Sequence, residues 1–208
     1  SSLQVDCNSK FGYSAEMTLN IVQPLYEKKY TTYPRVDTQY LPDDVYPKCP
    51  QILNGVYQSL IAGQSVYAPL VKPLGGKPLP KTKKVFDASK VTDHHAIIPT
   101  GVPICGLTDI EQNVFDLIAR RFIAVFYPDC RFSTTTVQGK VEDVTFKVSG
   151  KEILDPGWRK VYGKEAKQQT DDEARKTDEE RVLPQFTVGE SGPHYPTLTE
   201  KHSQQPKN

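Results

Sequence analysis

The sequence predicts an α+β chain, mainly helical over residues 1–130 and antiparallel β over residues 131–208. Three observations lead there. Apolar residues recur at helical spacing in several segments before Pro128. From Phe132 the period changes to two. Residues 164–181 carry twelve charged side chains and almost nothing apolar, the composition of a flexible loop.

The first predicted helix opens at Ser14, an N-cap residue type, with Glu16 in the first turn where the helix dipole favours an anion. Ala15, Leu19, Val22, Leu25 and Tyr26 follow at helical spacing. Pro24 interrupts the pattern and is expected to kink the helix or start a new turn. A second helix is expected from Cys49 to Ile61, with Ile52, Leu53, Val56, Tyr57, Leu60 and Ile61 as its core stripe and Gly63 as its stop. Residues 68–90 read as a Pro- and Gly-rich loop. It carries six lysines (72, 77, 81, 83, 84 and 90) and one acid, Asp87. Two readings are open for it: a solvated surface, or contacts to a phosphate backbone.

Thr108 and Glu111 form a capping box for a third helix. Its apolar face is Ile110, Val114, Leu117, Ile118, Phe122 and Val125, and Pro128 closes it. Arg120 and Arg121 read as exposed cations on this helix. Alternation over 132–141 and 144–150 gives two antiparallel strands joined at Glu142–Asp143. Trp158 and Tyr162 are expected in the core, and Phe186-Thr187-Val188 resumes a strand.

Composition bounds the function. With 37% apolar and 25% charged residues, the 208-residue chain reads as soluble and globular. Its net charge of +1 excludes a generally basic nucleic-acid binder, so contacts to DNA must come from local patches. The four cysteines form no C-x-x-C pair, which points away from a zinc ribbon or a disulfide framework. No apolar run approaches the ~18 residues of a membrane span, and no signal peptide is visible. A cytoplasmic location, with no membrane partner, is the expectation. Ser1-Ser2-Leu3-Gln4 reads as mid-domain sequence, and the expectation is a piece of a longer protein.

Two stretches carry chemistry. In Thr31-Thr32-Tyr33-Pro34-Arg35-Val36-Asp37, Pro34 disfavours helix at Tyr33, so the phenol sits on extended chain at a reversal. Arg35 then projects to the same side. A phenol beside a guanidinium fork suits a phosphodiester: one attacks phosphorus, the other holds the oxygens. A Tyr-Pro turn with a surface arginine is the plainer reading. The second stretch is Asp93-His94-His95-Ala96-Ile97-Ile98-Pro99-Thr100.

Together, in this order, the two stretches resemble the catalytic-tyrosine region of type IA DNA topoisomerases, in particular the topoisomerase III branch. The resemblance extends through Phe11-Gly12-Tyr13-Ser14-Ala15 and Leu25-Tyr26-Glu27 to Gly157-Trp158, with Pro24 as a departure. It implies a helical domain bearing the catalytic tyrosine followed by part of the β-rich arch. It also implies single-strand cleavage through a 5′-phosphotyrosine ester, with single-stranded DNA as partner. Tyr33 would be the nucleophile, Arg35 would bind the scissile phosphate, and His94 would donate to a nearby phosphate, with Thr32 and Lys90 as further DNA contacts. His95 reads as structural. Glu27 is an active-site neighbour by resemblance or a solvated helix-end carboxylate. Asp37 orients Arg35 or His94, or simply forms a turn.

The family also uses a metal-binding domain whose glutamate and D-x-D motif hold Mg²⁺. This sequence has no D-x-D, so the Mg²⁺ site is expected outside this chain, and the chain alone is expected to be inactive. Two other readings are weighed: a non-catalytic single-stranded DNA-binding or gate module, and a tyrosine recombinase. A recombinase would need a second arginine motif, which the sequence lacks.

Overall fold

The computed structural model describes residues 1–167, 182–193 and 195. Among them, α1 (Ser2–Phe11), α2 (Ala15–Glu27), α3 (Cys49–Gln58), α4 (Ala68–Val71) and α5 (Asp109–Ala124) precede strands β1 (Arg131–Val141) and β2 (Val144–Asp155). The architecture is α+β, as the change of period predicts.

Helices α1, α2 and α5 pack on one another. Ile21, Val22 and Leu25 of α2 meet Val114, Phe115, Ile118 and Phe122 of α5 in a single buried cluster. Each such side chain contributes about 1.5–3 kcal/mol by leaving water. Sequence reading does not assign α1, because it buries only Cys7 and so leaves no apolar stripe to see.

The caps explain where α2 and α5 begin. The Ser14 hydroxyl accepts from the Met17 N–H at 3.0 Å. At α5 the capping box forms as expected: Thr108 Oγ1 accepts from the Glu111 N–H, and Glu111 Oε2 accepts from the Thr108 N–H at 3.0 Å. Helix α2 does not stop or restart at Pro24; it continues to Glu27. It ends in a Schellman turn, with Tyr30 N–H on Leu25 O and Lys29 N–H on Tyr26 O, both at 2.8 Å. Lys29 occupies the left-handed position, φ 61°, more often filled by glycine.

Several expectations are corrected. Helix α3 stops at Gln58, three residues short of Ile61, because the Ser59 side chain takes over the bonding. Its hydroxyl donates to Gly55 O and accepts from the Ile104 N–H. Leu60 is therefore exposed instead of core, and so are Tyr57 within α3 and Ile110 in the first turn of α5. The 68–90 stretch is not all loop: it holds α4 and 3-10 turns at Lys72–Leu74 and Ala88–Lys90. Arg121 is exposed, as expected, but Arg120 is not. Its Nε lies 2.8 Å from Asp116, and its Nη1 donates to Val161 O at 2.6 Å.

Strands β1 and β2 form a two-stranded antiparallel ribbon in the register Val137↔Val148, turning at Glu142 with φ 51°. It runs to Asp155, five residues past the expected stop at Gly150. Most of its side chains are exposed. At Gly157 the chain returns to the helical body, with Trp158 N–H on Pro128 O at 2.9 Å. Val161 is buried there, but Trp158 is not core: it stands 42% exposed, edge-on to the half-buried Tyr162. Phe186-Thr187-Val188 is no strand; it enters a turn closed by Glu190 N–H on Thr187 O. The expected loop at 164–181 lies, from residue 168 onward, outside the described residues.

Gly55 fixes how α3 meets the loop after Pro99. A Cβ there would overlap the Gly101 carbonyl, which is backbone and cannot swing away. Gly55→Ala is expected to cost about 1–3 kcal/mol, the range for overpacking. Urea denaturation followed by circular dichroism measures it.

Candidate active site

The tyrosine and histidine stretches are laced together by backbone hydrogen bonds. Thr31 and Pro99 form an antiparallel bridge. The Thr32 N–H donates to Ile98 O at 2.9 Å, Thr100 N–H to Tyr30 O at 3.1 Å, and Ala96 N–H to Tyr40 O at 3.0 Å. Further along, Leu41 and Phe86 pair in parallel, and both are buried. The Thr32 hydroxyl adds a side-chain tie: it accepts from the Ile98 N–H at 3.0 Å and donates to Ala96 O at 3.3 Å. Thr38 Oγ1 donates to Lys90 O at 2.7 Å.

This lacing brings Tyr33 and His94 into contact, with ring centroids 4.4 Å apart and planes 39° apart. Tyr26, in the last turn of α2, meets the Tyr33 ring edge-on at 5.5 Å. The phenol is thus held between a helix-borne ring and an imidazole. Aromatic pairs of this kind contribute about 0.5–1.5 kcal/mol beyond area burial. Tyr33 is half-buried and His94 exposed, so the pair lies at the surface.

The other candidates are placed as follows. Arg35 is exposed two residues beyond Tyr33, with no ion-pair partner among the described residues. Glu27 follows Tyr26 on the last turn of α2 and accepts from Gln23 Nε2 at 3.0 Å. Asp37 makes no ion pair with Arg35 or His94. It lines a cleft of about 610 Å³ that Tyr33, Arg35 and His94 do not line. Lys90 lies 3.2 Å from the Tyr40 hydroxyl and 3.5 Å from an Asp87 carboxylate oxygen. The partners Asp87 and Tyr40 hold the Lys90 pKa up, Tyr40 the more strongly. His95 Nδ1 lies 2.8 Å from the neighbouring Ala96 O.

Sequence reasoning missed two contributors. Tyr26 was grouped with the core stripe of α2, yet it is 39% exposed and packs against Tyr33. Its place seven residues before Tyr33, one residue from the helix end, is the signal that could have found it. Lys28 was not singled out. Its Nζ lies 2.6 Å from Glu111 Oε1, joining the end of α2 to the capping box of α5. Burial pushes the Glu111 carboxyl up, but Lys28 and the Thr108 N–H and hydroxyl outweigh it and hold it below the ordinary value.

A family model described as DNA topoisomerase matches residues 1–208. The chain belongs to the DNA topoisomerase family. It is 40% identical over 192 residues to DNA topoisomerase 3 of Bacillus thuringiensis (strain Al Hakam) and to that of Bacillus anthracis. Identity to DNA topoisomerase 3 of Bacillus subtilis (strain 168) is 34% over the same length. Each match covers 91% of this chain and 25% of the relative, so the chain spans about a quarter of the length of these curated relatives. No helix among the described residues is long and apolar enough to cross a membrane.

Two predictions follow from how this topoisomerase-family site is held. Thr31 Oγ1 is buried with no hydrogen-bond partner among the described residues, whereas Thr32 Oγ1 has two. Thr31→Val is expected to stabilise the fold by about 1 kcal/mol, and Thr32→Val to destabilise it by about 1–3 kcal/mol. Thermal unfolding of the two variants reads the opposite signs.

Glu111 supplies a pH dependence. Its carboxyl lies below the ordinary value of 4.5 in the folded chain. Its contribution is therefore complete above that value and disappears as pH falls through the lower, folded one. Glu111→Gln is expected to lower the melting temperature at neutral pH and to approach the parent as pH falls below the folded-state value. A pH series of thermal melts tests the convergence.

Proposed function

We propose that this chain carries the strand-cutting tyrosine of a type IA DNA topoisomerase, with Tyr33 as the nucleophile. The observation that carries the reading is the Tyr33–His94 contact at 4.4 Å, on a surface that also exposes Arg35. In this reading Tyr33 Oη attacks phosphorus in one DNA strand. The new bond is Oη–P; the bonds that break are the phenol O–H and P–O3′, so one proton is given up at Oη and one is taken up by the leaving 3′ oxygen. The 5′-phosphotyrosine ester conserves the bond energy, so resealing after strand passage needs no ATP. Arg35 holds the phosphate oxygens and offsets charge as the transition state forms. His94, fixed against the ring, donates to a neighbouring phosphate.

Mg²⁺ belongs to this reading through a further domain of the same polypeptide. The donor set here does not fit such a site. The sequence has no D-x-D, and no three His, Cys, Asp or Glu side chains among the described residues could hold an ion. The chemistry assigned to this chain is therefore that of Tyr33, Arg35 and His94 alone. The same lack of donors favours a second reading, a single-stranded DNA-binding module without chemistry.

The assay is denaturing electrophoresis of an end-labelled oligonucleotide after incubation with the chain joined to its metal-binding domain and Mg²⁺. The expected result is label carried covalently by the parent and lost in Tyr33→Phe, with DNA binding nearly intact. Arg35→Ala is expected to reduce cleavage about 10²-fold or more and binding far less, because its contact strengthens as charge develops. Label retained by Tyr33→Phe identifies another nucleophile; no label in any form favours the non-catalytic module. Adduct on a 3′ phosphate points to recombinase chemistry. The chain alone is expected to bind single strands weakly and leave supercoiled plasmid unrelaxed.

A further inference from the structure

The lysine-rich 68–90 stretch divides into two groups. Lys81, Lys84 and Lys90 are paired with Asp43, Asp129 and Asp87. Lys72, Lys77 and Lys83 have no partner among the described residues. Lys72 and Lys77 flank a groove of about 490 Å³ between the 3-10 turn Asp43–Lys48, α3 and the segment after α4. Tyr46, Pro50, Leu53 and Tyr57 help form its wall, and no acidic residue lines it. The two acids nearest in sequence, Asp43 and Asp44, are neutralised by Lys81 and Lys48. The Tyr46 ring is fixed, its hydroxyl donating to Leu79 O and its edge against Phe86. Tyr57 is 41% exposed, although its spacing on α3 marked it for the core.

We propose that this groove is a second binding site for single-stranded nucleic acid, separate from the Tyr33–His94 surface. A base stacks on the Tyr57 ring, and the adjoining phosphates lie against Lys72 and Lys77. An exposed aromatic ring beside unpaired cations is the arrangement that binds single strands without reading sequence: every base has a face to stack, and every linkage carries a charge. Lys72 and Lys77, with no acid at the wall, complement an anionic strand, and the apolar wall of Pro47, Pro50, Leu53 and Leu79 suits the faces of its bases. The proposal deepens the DNA reading above, placing a further stretch of strand on α3. It does not depend on Tyr33 being the nucleophile.

The test uses the 208-residue chain and a fluorescein-labelled oligo-dT of about 15 nucleotides, read by anisotropy across a salt series. Tyr57→Ala is expected to weaken binding about tenfold, and Tyr57→Phe, which keeps the stacking face, to bind like the parent. Lys72→Gln with Lys77→Gln is expected to flatten the slope of log affinity against log salt by about 1.4, two phosphate contacts on a single strand. Tyr57, Lys72 and Lys77 are all exposed, so these variants are expected to keep the fold, which circular dichroism checks. A 5-iododeoxyuridine oligonucleotide should photocrosslink to Tyr57 and continue to do so in Tyr33→Phe. Parent-like affinity and salt slope in all three variants, with crosslinks confined to the Tyr33 stretch, would overturn the groove and leave the cleavage reading standing. Loss of the covalent adduct reading with crosslinks at Tyr57 would do the reverse. Binding of a proline-rich peptide at this groove, with no oligonucleotide bound there, also overturns the proposal.

Discussion

Thr32 makes three hydrogen bonds to a segment more than sixty residues away: its N–H to Ile98 O, its hydroxyl to Ala96 O, and the Ile98 N–H to that hydroxyl. Around it, Thr31 pairs with Pro99 and Thr100 with Tyr30. This short stretch of ladder is what sets a phenol beside an imidazole. Closing a loop of that length carries an entropy cost, which grows slowly with length. The buried flank of Leu41, Phe86 and Ile98 offsets it by removing apolar surface from water. Thr32 therefore acts first as a staple, and any contact it makes to DNA is added to that role.

The ladder in turn rests on α2. The Schellman turn at Lys28–Tyr30 directs the chain out of the helix toward the ladder, and the Lys28–Glu111 pair ties that exit to the start of α5. Lys28 is nearly half exposed and Glu111 almost buried, so solvent screens one partner and the pair is worth less than a fully buried bridge. Its use is positional. Because Glu111 also caps α5, one carboxylate joins two helix ends and the base of the tyrosine loop. Tyr26 completes the arrangement from the helix side by packing its ring on Tyr33.

The ribbon of β1 and β2 behaves differently from the helical body. Phe132, Val144, Phe146 and Leu154 are exposed, and both faces lie largely open. Alternation of apolar and polar residues is the signature of a strand with one buried face. Here the pattern is present and the covering layer is absent from the described residues. The curated relatives are about four times as long as this chain.

By itself the sequence determined the elements whose cause is local. The capping box of Thr108 and Glu111, the Ser14 cap, the two-residue period after Phe132 and the turn at Glu142 depend on neighbours within a few positions, and all stand where they were read. The motif order also pointed to Tyr33 and His94 before any distance was known. Only the tertiary structure decided the rest. Ser59 ends α3 early because its hydroxyl meets Ile104, forty-five residues on. That early stop leaves Leu60 in solvent, and Tyr57, still within α3, is exposed as well, where helical spacing alone put both in the core. Tyr26 changes from core residue to ring partner, and Lys90, a DNA contact by resemblance, sits beside Tyr40 and Asp87. Ile104 and Tyr40 lie forty-five and fifty residues from the residues they decide, and Tyr33 lies beyond the end of α2, so helical spacing carries no record of them.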